Sequence, residues 1–323
     1  MPPWSAAHVL GLVVRDAPQA ALLTMRVYDC AAKQDLILTE PAKGGRLEGW
    51  PQGFSPKCGC PTWIRMPALD GCREAARHCP MSRNVHWLNL QYCTLFRTRN
   101  DGRIERENDP DCSRGPRFWL AGCADGNVFG VRADLPDNLA AELEALAADE
   151  PPFIHPASPK YLERYPSLLH GDRPATADLG LIYELPWAHP YPGRARLVSS
   201  DSAEGRDLIR SWAADGVPES FIELGFGRAA DFWTPWCAAI VDGDVASVAF
   251  AARLAEAGAE LGLVTAKPFR GRGLAAAATA GWSRLPELRS RTLFYSTGRG
   301  NVASQRVAAR LGLRLRGASL RIS

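Results

Sequence analysis

The sequence predicts an α/β protein: a mixed central sheet flanked by helices at the C-terminal end, a smaller α/β subdomain before it, and a loop-rich extension in front. Three observations predict this. Of 25 prolines only four, at 218, 235, 268 and 286, fall after residue 192, so the front of the chain is cut into loops while the rest can carry long regular elements. Strand and helix signals after residue 235 run in the order β-β-β-α-β-α-β. A hydrophobic content of 46% over 323 residues is enough to bury a core, and the length suggests two domains or one with appendages.

Composition narrows the function classes. The net charge is only +3, and 33 of the 38 basic residues are Arg that alternate with acids. A nucleic-acid surface would gather them on one face, so the sequence argues against nucleic-acid binding. The apolar run Val9 to Val14 is too short to span a membrane, and no positive segment precedes it, so the expectation is a cytoplasmic protein. Nine cysteines in a reducing compartment are thiols or metal ligands, and eight of them lie at or before Cys123.

Taken in order, residues 1–115 show neither helical nor strand periodicity and read as a Cys/Pro/Arg-containing extension, with disorder as one reading. Cys58, Cys60, Cys72 and Cys79, with His78 and His86 nearby, offer a zinc reading, but the first pair is C-x-C where structural zinc sites favour C-x2-C, so no metal is assigned. Residues 116–192 form the small α/β subdomain. In it "RFWLAGC" and "NVFGVRADL" are strands about Asp125-Gly126, "DNLAAELEALAADE" is an amphipathic helix from Asp137, and "LGLIYELP" is a further strand.

Residues 193–323 form the main domain. A helix starts at Ser202 and a second spans Pro218 to Gly225. The runs "WCAAIVD" and "DVASVAFAARLA" flank Asp242-Gly243, a pair that tolerates positive φ at both positions and so marks a hairpin, and "AELGLVTA" follows. Then come a glycine turn, a helix from Leu274 that ends before Pro286, the strand "RTLFYST", a helix from Val302 to Leu311 closed by Gly312, and the strand "LRLRGASLRI".

The glycine turn carries the functional signal. A helix beginning on bare backbone between Arg270 and Arg272 presents unpaired N–H donors and a partial positive charge, which suits a phosphate. Gly271-x-Gly273-x-x-Ala276 satisfies a dinucleotide fingerprint, but the next strand ends in Ser296 and Thr297 without the ribose-binding acid, and too little chain follows for such a sheet. The other pattern is Arg270-x-x-Gly273-x-Ala275 directly after a strand, with "NVASQRVAARLGL" from Asn301 to Leu313 downstream.

In these two motifs and their spacing, residues 195–323 resemble the GNAT superfamily of acyl-CoA-dependent N-acyltransferases, whose first motif is [Q/R]-x-x-G-x-[G/A] and whose second has an Asn opening a helix that closes in Leu-Gly-Phe. Leu313 stands where that Phe would be. The resemblance implies a GNAT-like sheet and acetyl-CoA as co-substrate, its diphosphate held at Arg270, Gly271, Arg272, Gly273, Leu274 and Ala275 in a crevice between parting strands. It also implies that Leu263, Val264 and Thr265 flank the pantetheine arm, with Asn301 facing it.

Transfer to an amine requires the neutral amine, which for a lysine-like group at pH 7 costs roughly 4.6 kcal/mol that a base or a desolvating pocket must offset. None of the six histidines, the last of them His189, lies in the acyltransferase-like region, so a carboxylate is the expected base. Glu260, on the strand leading to the turn, corresponds roughly to a position where members of the family place a glutamate. The family's thiolate-protonating Tyr falls on Ala308, and Tyr295 is the substitute, with a plain core tyrosine as the other reading. Cys237 sits in an apolar run with no histidine nearby and reads as structural. "FGRAADFWTPW", Phe226 to Trp236, is either a pocket lining or core.

The sequence therefore predicts a GNAT-type N-acyltransferase working by direct transfer to a small-molecule or peptide amine, without nucleic acid or membrane. The alternative is a non-catalytic CoA-binding or regulatory module. A third reading, a zinc-dependent nucleic-acid binder, would rest on the front cysteines.

Overall fold

The computed structural model of the chain describes residues 82–171, 177–191, 193 and 195–323. The cysteines of the zinc reading and His78 lie outside these residues. Among the described residues no helix is long and apolar enough to cross a membrane.

Among the described residues nine strands form one sheet. Two of them, β3 (Phe118–Cys123) and β4 (Gly126–Val131), are the antiparallel pair expected about Asp125-Gly126, and the next in the chain, β5 (Ala177–Leu185), follows helices α2 (Asp137–Ala148) and α3 (Arg164–His170). From the C-terminal part come β6 (Arg196–Ser199), β7 (Trp236–Val241), β8 (Asp244–Leu254), β9 (Gly258–Thr265), β10 (Thr292–Gly298) and β11 (Arg314–Ile322). The sheet order is β4-β3-β11-β5-β10-β9-β8-β7-β6. All neighbours are antiparallel except β9 and β10. Strand β5, from residues 116–192, sits between β10 and β11, so one continuous sheet joins that segment to residues 193–323.

Local chemistry explains the elements. The β7–β8 turn has Asp242 at φ 52° and Gly243 at φ 91°, the left-handed pair a two-residue hairpin needs. Helix α4 (Ala203–Asp215) is capped by Ser202, whose hydroxyl accepts the Gly205 N–H, and the short α5 (Glu219–Ile222) follows. Helix α6 (Leu274–Trp282) is buried on nearly every side, which its alanines permit, and α7 (Val302–Arg310) ends at Gly312 with φ 64°.

The extension departs from expectation at its end. Residues Arg83–Leu95 form a helix, α1, and Phe96–Thr98 and Ile104–Glu107 form a two-stranded ribbon, β1 and β2. Ser82 caps α1 by accepting the Val85 N–H. The buried stripe is Trp87, Leu88, Gln91, Tyr92 and Thr94, and its two polar members hide the apolar period. An ion network fastens this region to the sheet: fully buried Glu107 accepts from Arg253 Nε at 2.9 Å and from Arg321 Nη2 at 2.5 Å.

The sheet lies between two helical layers. Strand alternation puts Ala238, Ile240, Val248 and Phe250 against α4 and α5, and Trp119, Ala121, Ile182 and Phe294 against α1. On the other face Cys237, Ala239, Leu261, Leu293 and Tyr295 pack with Leu274, Ala278 and Trp282 of α6, and Phe118 and Leu120 pack under α2 and α3. Phe226, Phe232 and Trp236 are core, stacked in an aromatic cluster with Trp212 and Phe221. Their pocket-lining reading is therefore corrected; Trp233 of the same run is half-buried and lies edge-on to Phe250.

Candidate active site

The central parallel pair is short. Strands β9 and β10 pair only at Gly258↔Thr292, Ala259↔Leu293 and Glu260↔Phe294. Beyond that point β10 continues along β5 and β9 continues along β8, so the two strands part and leave the facing edge of residues 261–265 without a strand partner. In β8 an extra residue, Ala252, sits between the partners of Glu260 and Leu261, which bends β8 beside the split.

Glu260 is at the apex of the split, 6% exposed. Its Oε1 accepts the Ser296 backbone N–H at 3.0 Å, and its Oε2 accepts from Gln91 Nε2 at 3.3 Å. Gln91 Nε2 also donates to Ser296 Oγ at 2.8 Å, while Gln91 Oε1 is buried with no hydrogen-bond partner. Burial pushes the Glu260 carboxyl above its ordinary range against the opposing pull of the Ser296 and Gln91 donors and the Arg253 charge.

Past the split, Leu263 packs toward α6, Val264 toward α4 and α5, and the Thr265 hydroxyl lies 2.8 Å from Ser247 Oγ. The chain then turns through Gly271 at φ 76° and Gly273 at φ 82° into α6. Left-handed backbone at both positions is what glycine supplies. Among the described residues the amides of 271–276, which include Leu274 and Ala275, donate to no protein acceptor of normal geometry. Such a set of open donors at a helix start suits an anion.

Cations surround these amides. Arg270 Nε donates to the Thr265 carbonyl at 3.3 Å, and Arg272 lies over the Phe269 ring at 5.6 Å. The Arg310 guanidinium, from the last turn of α7, stands so close over Gly273 that a Cβ there would collide with Nη1. The Tyr191 hydroxyl donates to the Gly273 carbonyl at 3.3 Å. Tyr191 is placed by the segment running back along α6, where Ala188 N–H donates to the Ser283 carbonyl and His189 N–H to Ser283 Oγ. Arg270, Arg272 and Arg310 form no ion pair among the described residues, so their charge is available to an anion.

Asn301 caps α7, its Oδ1 accepting the Ser304 N–H at 3.0 Å. Its side-chain oxygen is thus used by the helix. Tyr295 is buried on the α6–α7 face, opposite Glu260, with its hydroxyl 2.8 Å from Ser304 Oγ and 3.0 Å from the Ser304 carbonyl. Burial pushes this phenol up to about 12, so it stays protonated at neutral pH. Ala308 is fully buried in the same core cluster as Tyr295. Burial likewise pushes the Cys237 thiol up to about 12, which leaves it unreactive beneath α6.

A parallel pair that splits beside a glycine turn and helix, with the motif residues at the mouth, decides the architecture. The fold is GNAT-like. Solved structures similar to this chain include a putative GNAT-family acetyltransferase from Novosphingobium aromaticivorans, 18% identical with a TM-score of 0.31 over 46% of this chain and 66% of that one. A GNAT-family acetyltransferase from Colwellia psychrerythraea is 19% identical with a TM-score of 0.32, over 49% and 60% of the two chains. A GCN5-related N-acetyltransferase from Kribbella flavida is 16% identical with a TM-score of 0.40, over 75% and 95%. The matched region spans less than two thirds of the first two of those chains. No family model matches the sequence, and no curated protein matches it significantly.

Within the GNAT-like frame, Gln91, Ser296, Tyr191 and Arg310 stand at the candidate site, and sequence reasoning did not single them out. Only Arg310 carried a signal, as a cation closing the helix of the second motif. The other three are brought in by contacts remote in sequence.

Proposed function

We propose that the protein is an acyl-CoA N-acyltransferase that transfers the acetyl group of acetyl-CoA directly to an amine. The observation that carries this reading is the connected path from the open amides of residues 271–276, along the unpaired edge of β9, to the buried carboxylate of Glu260. Amides and guanidinium groups hold the diphosphate, and the split admits the pantetheine arm as an added strand beside Leu263, Val264 and Thr265.

Glu260 and Tyr295 lie on opposite faces of the sheet, which suits a ternary complex. The amine comes from the α1 side, where the Phe250 ring covers Gly262 and Trp233 packs against it. Its nitrogen attacks the thioester carbonyl carbon, the C–S bond breaks, the amine proton passes to Glu260, and the departing thiolate takes a proton from Tyr295. Burial raises the proton affinity of the carboxylate, which makes it a stronger base than a solvated one. Acetyl-CoA and the free thiols of Cys112, Cys123 and Cys237 both suit a cytoplasmic location.

Ala308, where the family has a Tyr, favours one second reading, a CoA-binding module without turnover. Calorimetry with acetyl-CoA and a product-mass screen against pooled small amines and peptides test both. Binding with a mass gain of one acetyl group on some amine is the expected result. Binding without product on any amine selects the module, and no binding ends both readings.

A further inference from the structure

We propose that Gln91 is the positioning residue of the base site, so that the helix ahead of the acyltransferase-like region completes that site. The inference rests on Glu260 as the base and names a residue that neither motif contains. Three observations carry it. Gln91 is 1% exposed, and its Nε2 reaches both Glu260 Oε2 and Ser296 Oγ. Ser296 returns its own N–H to Glu260 Oε1, so both carboxylate oxygens are held and the group has one orientation at the apex of the split. The third is Gln91 Oε1, which is buried beside the carboxylate with no partner.

An unpaired buried amide oxygen costs free energy until a water, a ligand or a reacting group supplies it a donor. Next to a base, this oxygen can accept an N–H of the incoming amine, or an O–H of a water that relays its proton to Glu260. Position 91 thus supplies two things at once: a donor that orients the base and an acceptor that orients what the base deprotonates. A leucine would fill the same buried stripe more cheaply, so the glutamine is there for its amide.

The groups facing Glu260 define its pH response: Gln91 from α1, Ser296 from β10 and the Arg253 cation from β8, itself paired with Glu107 and Asp109. Gln91→Leu removes a donor to the carboxylate, and Gln91→Glu sets a second carboxylate against it. Both changes disfavour the charged base. The full-length chain is assayed by thiol release from acetyl-CoA in the presence of a pool of primary amines, and its carboxyl groups are titrated by infrared spectroscopy with Glu260→Gln to assign the Glu260 band.

The expected result is an acid limb of kcat/KM moved to higher pH by about one unit in Gln91→Leu and further in Gln91→Glu, with the Glu260 band moving alike. At neutral pH kcat falls on the order of 10-fold or more, while KM for acetyl-CoA stays within about 2-fold. An unmoved limb and band in both variants overturns the proposal, as does a loss confined to KM. Should Gln91→Leu fail to fold, Gln91→Glu, which shares a proton with Glu260, decides the matter alone. Turnover that survives in Glu260→Gln overturns the base reading itself, whereas an inactive Glu260→Gln beside unmoved Gln91 variants overturns only the role of Gln91.

Discussion

Glu260 Oε1 takes the backbone N–H of Ser296 at 3.0 Å, two residues beyond Phe294, where the backbone pairing of β9 with β10 stops. A side chain thereby continues the strand contact that the backbone has given up. The split is held at a fixed point, and the group that fixes it is a carboxylate.

Glu260→Gln is expected to reduce turnover by roughly 10²- to 10⁴-fold while keeping the fold, because an amide oxygen can still accept the Ser296 N–H. Steady-state rates with any acceptor found in the screen check it. Stability gives an independent reading. Burial raises the folded carboxyl above its unfolded value, so the protonated form's contribution is present at low pH and lost as pH rises through the folded value. Urea midpoints of wild type and variant should agree near about pH 4 and favour the variant by about pH 8.

Gly273→Ala should weaken acetyl-CoA binding more than Gly271→Ala does. Both positions have positive φ, which costs a side chain about 1–2 kcal/mol, but only at 273 would the new Cβ collide with the Arg310 guanidinium. Space around Gly271 is open. Calorimetric Kd values for the two variants, with their thermal midpoints, make the comparison.

Arg310→Gln is expected to weaken CoA binding about 5- to 20-fold and to flatten its salt dependence, because one of three guanidinium groups at the turn is gone. Titration at two ionic strengths measures both effects. Equal affinity and equal salt slope would mean that Arg310 serves only the end of α7.

Asn301→Ala should cost about 1 kcal/mol of stability through loss of the α7 cap. Denaturant unfolding reads this directly. The change in acetyl-CoA affinity is expected to be smaller than that of Arg310→Gln, since the Asn301 oxygen is already bonded to Ser304.

Glu107→Ala removes the fully buried carboxylate that Arg253 and Arg321 share and should destabilise the chain by roughly 3 kcal/mol. The variant tests whether the region before residue 115 is integral to the sheet. A urea midpoint unchanged from wild type would contradict the clamp.

The glycine turn, the Asp242-Gly243 hairpin, the Ser202 cap and the Gly312 stop were all readable, since each depends on the backbone preferences of a few neighbouring residues. The short strand β6 and helix α3 were not, being four and seven residues long and stabilised by what they pack on. Helix α1 was hidden by Gln91 and Thr94 on its buried face, and it is the same glutamine that links it to the site.

By itself the sequence determined that a glycine turn between arginines precedes an alanine-rich helix, a pattern that suits a phosphate. Only the tertiary structure decided what surrounds Glu260 and where β5 goes. Gln91 and Glu260 stand 169 residues apart, and β5 enters between β10 and β11 from the other half of the chain. The physical reason is range: φ preferences and capping act over a turn, whereas burial of a carboxylate and the partner that orients it arise when distant segments close over the same face of a sheet.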